Sequence, residues 1–458
     1  MSGFSAVPPD TNGAVGRTQF VQWVNYAWAV FDKTTGSIEK NGGGPFAGNY
    51  LWANSPSFKK SQCGTNNSGD PIAQYDKRAN RWVLMQPVFT KPFVICVAVS
   101  TSPFANITPQ GGSYHLYEFQ IPNLDLFPDY PKLGIWPDGY YMSINLFTGL
   151  GFGGKFKGTK VCAFERNAML AGEASPAVMC FDVGLFPNLL PSDLDGATLP
   201  PAGAPNYFLN LGDDSRSLNL WQFQVVDFAK GTANLFGPTN IPVASFSEAC
   251  GGGICIAQLG TSRLLDSLGD RLMYRLAYRN FLTTGGQEDH ESLVVTHSVT
   301  AGSTVGVRWY EIRNPRSCNP QNPGKCNPQS CIYQQHTFAG VPQDTNFRWM
   351  GSAAMDNAGD IAVGYSVSSS GMHPSIRFTG RVLTTDACNL LEGETSIIEG
   401  TGSQTNASNW GDYSSMSIDP VDDCTFWLTT EYLKADSNYK WSTSIASFKF
   451  PSCPTPSP

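Results

Sequence analysis

One pattern recurs seven times along this chain and limits what it can fold into. An acidic residue or a tryptophan leads a short apolar stretch, a tight turn follows, and a second β-rich stretch comes after. The pattern reads DTNGAVGRTQFVQWVN at Asp10–Asn25, DPIAQYDKRANRWVLMQ at Asp70–Gln86 and DYPKLGIWPDGYYMSIN at Asp129–Asn145. A weaker copy, NYFLNLGDDSRSLNLWQFQVV, covers Asn206–Val226. DRLMYRLAYRNF (Asp270–Phe281) with ESLVVTHSV (Glu291–Val299) comes next, then RWMGSAAMDNAGDIAVGYSV (Arg348–Val367). The last is DYSSMSIDPVDDCTFWLTTEYL at Asp412–Leu433. The starts near 10, 70, 129, 206, 270, 348 and 412 lie 59 to 78 residues apart. That is room for four short strands and generous loops, against a repeat of roughly 40–50 residues in compact propeller blades.

Third and fourth strands are also legible. They include Ala27–Lys33 with SIEK, Phe93–Ser100 with Tyr114–Ile121, and Lys160–Arg166 with Ala177–Val183. Val305–Arg313 with Cys331–Phe338, and Pro374–Leu383, extend the series. Alternation and β-branched or aromatic enrichment mark them as strands. The expected fold is all-β: a single seven-bladed β-propeller of four-stranded antiparallel blades over residues 1–453, with 454–458 a Pro/Ser/Thr-rich tail. The seventh copy has no obvious fourth strand after Ser442–Phe450, so residues near Gly3–Val7 are expected to close the ring and remove a bare sheet edge.

Composition agrees. Gly (46) and Pro (32) are abundant, which disfavours long helices. Charged residues are only 15%, against about 25% in an average domain, and the net charge is −7. No basic stripe suits a nucleic acid. No apolar run nears the roughly 20 residues of a membrane-spanning helix, so membrane insertion is not expected. Twelve cysteines, without zinc-ligand spacing, point to an oxidising, extracellular setting. Cys162 and Cys180 lie midway along adjacent strands, and Cys424 and Cys453 at adjacent strand ends. Cys250–Cys255 would close the CGGGIC loop, and Cys63–Cys96 follows by elimination. Cys318, Cys326, Cys331 and Cys388 leave three pairings open.

PPDTNGAVG, YPKLGIWPDGYYMSIN, LGDRLMYRLAYRNF, RWMGSAAMD and WGDYSSMSIDPVDDCTFW together resemble a family of uncharacterised secreted bacterial proteins, from about Val7 to Cys453. The resemblance implies a β-propeller and export. It transfers no catalytic residue, because that family has no established activity.

Chemistry must therefore come from the residues. Asp10, Asp70, Asp129, Asp270 and Asp412 stand before the first strand of five repeats, where a propeller would gather them at one channel mouth. All-oxygen ligands favour a hard cation such as Ca²⁺. The plainer reading is that each caps backbone amides. Carboxylate pairs also suit glycoside hydrolysis. A sialidase-like site would add arginines and a nucleophilic tyrosine, for which Arg271, Arg275, Arg348 and Tyr413 are candidates, although Arg–Asp pairs between blades explain them equally. Trp136, Tyr140, Tyr141, Trp349, Trp410 and Tyr413 lie near blade entries, either as sugar platforms or as inter-blade packing. EDHES (Glu288–Ser292) sets an acid beside a base, and reads equally as a solvated turn. Asn66, Asn106 and Asn406 head N-x-S/T sequons, which a bacterial source would leave unmodified.

The leading expectation is an extracellular, non-catalytic module for adhesion or for binding a glycan or protein at the cell surface. A polysaccharide-active enzyme using the Asp set, and a structural subunit that self-assembles, are the alternatives.

Overall fold

In a computed structural model the chain is all-β. The structure describes residues 6–107, 114–122, 125–149, 154–282, 289–318, 331–341, 344–383, 393–437 and 439–453. Among these are 29 strands, whereas the three α-helices have only four, four and six residues. The chain forms two compact units. One is Asn12–Pro191 with Phe223–Leu235; the other is Ser192–Gln222 with Phe236–Pro458 and the segment ending at Thr11.

The first unit contains three four-stranded antiparallel sheets, each a meander in chain order. They are Asn12–Val15, Gln19–Val24, Ala27–Asp32 and Phe46–Ala47; Ile72–Asp76, Arg81–Pro87, Ile95–Ser100 and Tyr114–Phe119; and Phe127–Ile135, Gly139–Thr148, Lys155–Glu165 and Val178–Gly184. The fourth strand of the first sheet is Phe46–Ala47 and not SIEK, of which only Ile38 makes an isolated bridge to Phe31.

In the second unit, Phe347–Met355, Ile361–Ser369, Met372–Arg381 and Thr395–Ile398 form another such sheet. An eight-stranded sheet holds two meanders, Leu190–Leu194 to Thr232–Pro242 and Met273–Phe281 to Ile332–Phe338. Their leading strands pair in parallel, Ser192 opposite Leu276. This corrects the fourth repeat: Leu190–Leu194 leads its meander, and Asn206–Leu211 is second. The last sheet has three described strands, Ser415–Ile418, Phe426–Tyr432 and Ser442–Phe448. Beside its third strand, the Trp441 indole N–H donates to the Ala6 carbonyl at 2.7 Å. The rest of the expected closing segment up to Ser5, the tail 454–458, and Cys326 and Cys388 lie outside the described residues.

Burial falls from the first strand of a meander to the fourth. Ile72–Asp76, Arg81–Pro87 and Ile95–Ser100 are buried almost throughout, whereas Tyr114–Phe119 alternates. Thr232–Pro242 is exposed along most of its length. Inner strands therefore have both faces covered, and polar residues on them such as Gln74, Gln86 and Arg275 are buried beside the apolar ones. Between the first two sheets Trp23, Trp28, Trp52 and Trp82 fill one core, with Tyr75 against Trp82 at 4.7 Å. Gly16 is required there, since a Cβ would lie 2.6 Å from the Trp82 ring.

Among the described residues, disulfides join Cys63–Cys96, Cys162–Cys180, Cys250–Cys255, Cys318–Cys331 and Cys424–Cys453. Cys162 and Cys180 are direct register partners on adjacent strands. A Cys162→Ala/Cys180→Ala variant is expected to unfold at lower denaturant, losing about 2–4 kcal/mol. A urea titration followed by tryptophan fluorescence measures it.

Candidate functional site

Three of the five entry aspartates share a backbone geometry. Asp10, Asp70 and Asp412 have φ of 49°, 49° and 68°, the left-handed region in which Asp is among the few non-glycine residues that sit readily. Each occurs two or three residues before a first strand: Asn12–Val15, Ile72–Asp76 and Ser415–Ile418. In the first unit, Asp70 Oδ2 accepts the Tyr130 amide at 3.2 Å, a capping bond to the next sheet. Asp129 lies inside its strand, opposite Asn145, and not ahead of it. In the second unit, Asp270 is held by its neighbour Arg271 through Nε at 2.8 Å and a second bond at 3.1 Å. Among the described residues no three His, Cys, Asp or Glu side chains come together as a metal-ligand set.

The aromatic candidates are core residues. Trp349 is 0% exposed, Trp410 1% and Tyr413 0%, so none presents a ring face to a sugar. Trp349 and Trp410 pack together at 5.9 Å, and the Trp410 indole donates to Ser366 Oγ at 3.0 Å. Trp136, Tyr140 and Tyr141 of the first unit are equally buried. Arg348 is not available to a ligand either. It binds both oxygens of Glu394, at 2.7 and 3.0 Å, and pairs with Asp344.

The groups that do come together stand at the other end of the first strands. In the second unit, buried Arg275 pairs with both Asp193 and Asp195 and donates to the Met416 carbonyl at 3.2 Å. Four residues on, Arg279 grips Asp423 with bonds of 2.7 and 2.8 Å and donates to the Met355 carbonyl at 3.1 Å. Gly196 lies against this pair, where a Cβ would meet Arg279 at 2.5 Å. Burial works against the Arg275 charge, but the two carboxylates outweigh it and hold the guanidinium ionised. The first unit repeats the device: Asp76 takes Arg166 at 2.6 and 3.0 Å and the Tyr140 hydroxyl at 3.1 Å.

A short sequence signature marks these acids. YDKRAN, MDNAGD and IDPVDD each end a first strand with Asp and run into a hairpin turn. Asp76 Oδ1 accepts the amides of Arg78 and Ala79, Asp356 Oδ1 those of Ala358 and Asp360, and Asp419 Oδ1 that of Val421. DNAGD forms a turn in which the Gly359 amide donates to the Asp356 carbonyl at 3.1 Å and the Asp356 amide to the Asp360 carbonyl at 3.0 Å.

A tyrosine–carboxylate pairing exists as well. Glu291 Oε1 accepts the hydroxyls of Tyr278 at 2.7 Å and Tyr207 at 3.2 Å. Burial first, and then the glutamate charge, push both phenols up, the reverse of what a nucleophilic tyrosine needs. His290 of the EDHES stretch stacks on Phe281 at 4.9 Å; Glu288 lies outside the described residues. Burial, then neighbouring Asp360, raises Asp356 to about 7, and burial raises Glu431 to about 8 against one amide bond from Gly411.

No family model matches this chain, and no curated protein matches it. Among solved structures it is similar to the GH43 BlXynB protein from Bacillus licheniformis, with 10% identity, 79% of this chain and 66% of that one covered, and a TM-score of 0.28. Drosophila Semaphorin 1b extracellular domains 1-2 align at 7% identity over 97% and 86%, TM-score 0.32. The α-L-arabinofuranosidase PaAbf62A from Podospora anserina, in complex with cellotriose, aligns at 10% over 73% and 94%, TM-score 0.28. Likeness at this level sets neither fold nor activity for this chain.

Two expectations follow. Arg275→Met removes the guanidinium that two buried carboxylates share and is expected to cost about 3–5 kcal/mol, read by chemical denaturation. Glu431 has its folded pKa above its unfolded value, so its contribution to stability is complete below about pH 4.5 and is lost as pH rises through about 8. Glu431→Gln should therefore flatten the decline in melting temperature between pH 5 and pH 9 and melt higher than the parent at the alkaline end.

Proposed function

We propose that this chain is an exported, seven-bladed β-propeller that serves as a non-catalytic module for adhesion, or for binding a glycan or protein at the cell surface. The propeller reading is supported by consecutive meanders whose first strands are the most buried. It is supported further by Arg275 and Arg279, which from one first strand reach the leading strand of the other meander of their own sheet and the first strands of two further sheets. The resemblance to secreted bacterial propellers is part of the same proposal, and the described disulfides suit an extracellular protein.

One observation carries the non-catalytic reading: the acids and arginines that converge at the strand ends neutralise one another in buried pairs. A general acid or a nucleophile must reach substrate with a tunable proton. Asp193, Asp195, Glu291 and Glu311 are instead committed to Arg275, to Tyr207 and Tyr278, and to Arg313 and Arg381. Burial would raise Glu311, but its arginines hold it well below the usual range.

A panel of soluble and insoluble polysaccharides tests this, with product release and retention on the glycan both measured. The parent chain and Asp270→Asn/Asp412→Asn should release equally little product. Turnover by the parent that the double variant abolishes, with its melting temperature intact, would overturn the reading.

A further inference from the structure

The three sequons of this chain differ in what their asparagine nitrogen is doing. Asn66 closes the helix Gln62–Thr65, and its Nδ2 donates to the Gln62 carbonyl and to Gln62 Oε1, each at 2.9 Å. Its Oδ1 accepts the Thr90 hydroxyl at 2.9 Å. Asn106 is half-buried; its Nδ2 donates to the Asn41 carbonyl at 2.7 Å, and its Oδ1 accepts from Gln19. A glycan on either nitrogen would remove a donor N–H and force a bulky chain into packed surroundings.

Asn406 is the opposite case. It is exposed, and among the described residues its side chain makes no hydrogen bond. The backbone around it is nevertheless fixed. Gln404 Nε2 donates to the carbonyls of Ala407 at 2.9 Å and Asn409 at 2.8 Å, tying the two sides of the arch together. Gln258 clasps the backbone of Gln404 in both directions, at 2.8 and 3.0 Å. The Thr405 amide reaches the Ser437 carbonyl at 3.1 Å, and the Ser408 carbonyl accepts the Asp266 amide at 2.8 Å. The arch thus stands on an anchored base with the Asn406 amide at its apex, and the Ser408 hydroxyl has no partner among the described residues.

We infer that Asn406 is the chain's acceptor for an N-linked glycan, and that Asn66 and Asn106 are closed to one. This rests on the export reading, and on a secretory membrane that carries the glycosyl donor, a lipid-linked oligosaccharyl diphosphate, and its transferase; a bacterial source without them would leave all three sequons bare. In the transfer, the Nδ2–C1 bond forms as the C1–O bond to the diphosphate breaks. The diphosphate leaves with the bonding pair, and a base on the transferase takes the amide proton. Transfer precedes folding, so geometry acts afterwards: a chain modified at Asn406 folds unhindered, whereas one modified at Asn66 or Asn106 loses the bonds above.

The full chain behind a secretory leader, expressed in a yeast or insect host, provides the test. Intact mass is read before and after peptide-N-glycosidase on folded protein recovered from both lumen and medium, so failed secretion and failed modification are separate results. The parent should lose the mass of one glycan. Asn406→Gln should lose none and keep the parent's melting temperature, while Asn66→Gln and Asn106→Gln should keep the one-glycan shift. A parent without a shift, or a shift that survives in Asn406→Gln, overturns the assignment.

Discussion

The interior of the second unit depends on one side chain. Arg275 is buried on the strand Met273–Phe281, and it satisfies Asp193 and Asp195 while donating to the carbonyl of Met416. Each of the three groups is costly to bury alone, and together they are compatible with a dry interior. Because the guanidinium is planar and its donors point in fixed directions, the three partners have little freedom in where they stand. Arg279 repeats this four residues further along, toward Met355 and Asp423. First strands from several sheets are thereby held at one spacing by charge-assisted hydrogen bonds rather than by apolar contact alone.

This arrangement decides what the charged residues can be used for. A carboxylate engaged by a buried arginine has given up the variable proton that acid–base chemistry needs, and an indole at 0% exposure has given up its face. What the fold leaves outside are long outer strands such as Thr232–Pro242 and the loops between meanders. Under the proposed function, these surfaces would be the ones that bind a partner.

Much of the fold was legible in the sequence because it is repetitive. First and second strands stood out at Asp10, Asp70, Asp129 and Asp412, where turn residues and apolar runs coincide. The fourth repeat misled because Leu190–Leu194, LPSDL, is a polar-looking strand whose Ser192 and Asp193 are buried by bonding; Ser192 Oγ accepts the Tyr207 amide at 2.9 Å. SIEK misled because a loop returning along Ala27–Asp32 makes only one bridge. The candidate site was read less well. Asp10, Asp70 and Asp412 recur where the backbone is left-handed, a backbone demand that looks like shared chemistry in a repeat. The Arg275 set was invisible because its partners are 80 and 82 residues apart in sequence. Aromatic residues near strand entries were ambiguous for a different reason: residue type does not tell an exposed platform from a packed wedge.

The account stands or falls on the interior of the proposed propeller, and an experimental density map at side-chain resolution tests it most directly. Seven sheets should surround one axis, with the Arg275 guanidinium seated between Asp193 and Asp195 and no ion in its place. A different number of sheets, or Arg275 turned away with a cation held by the two aspartates, would contradict it.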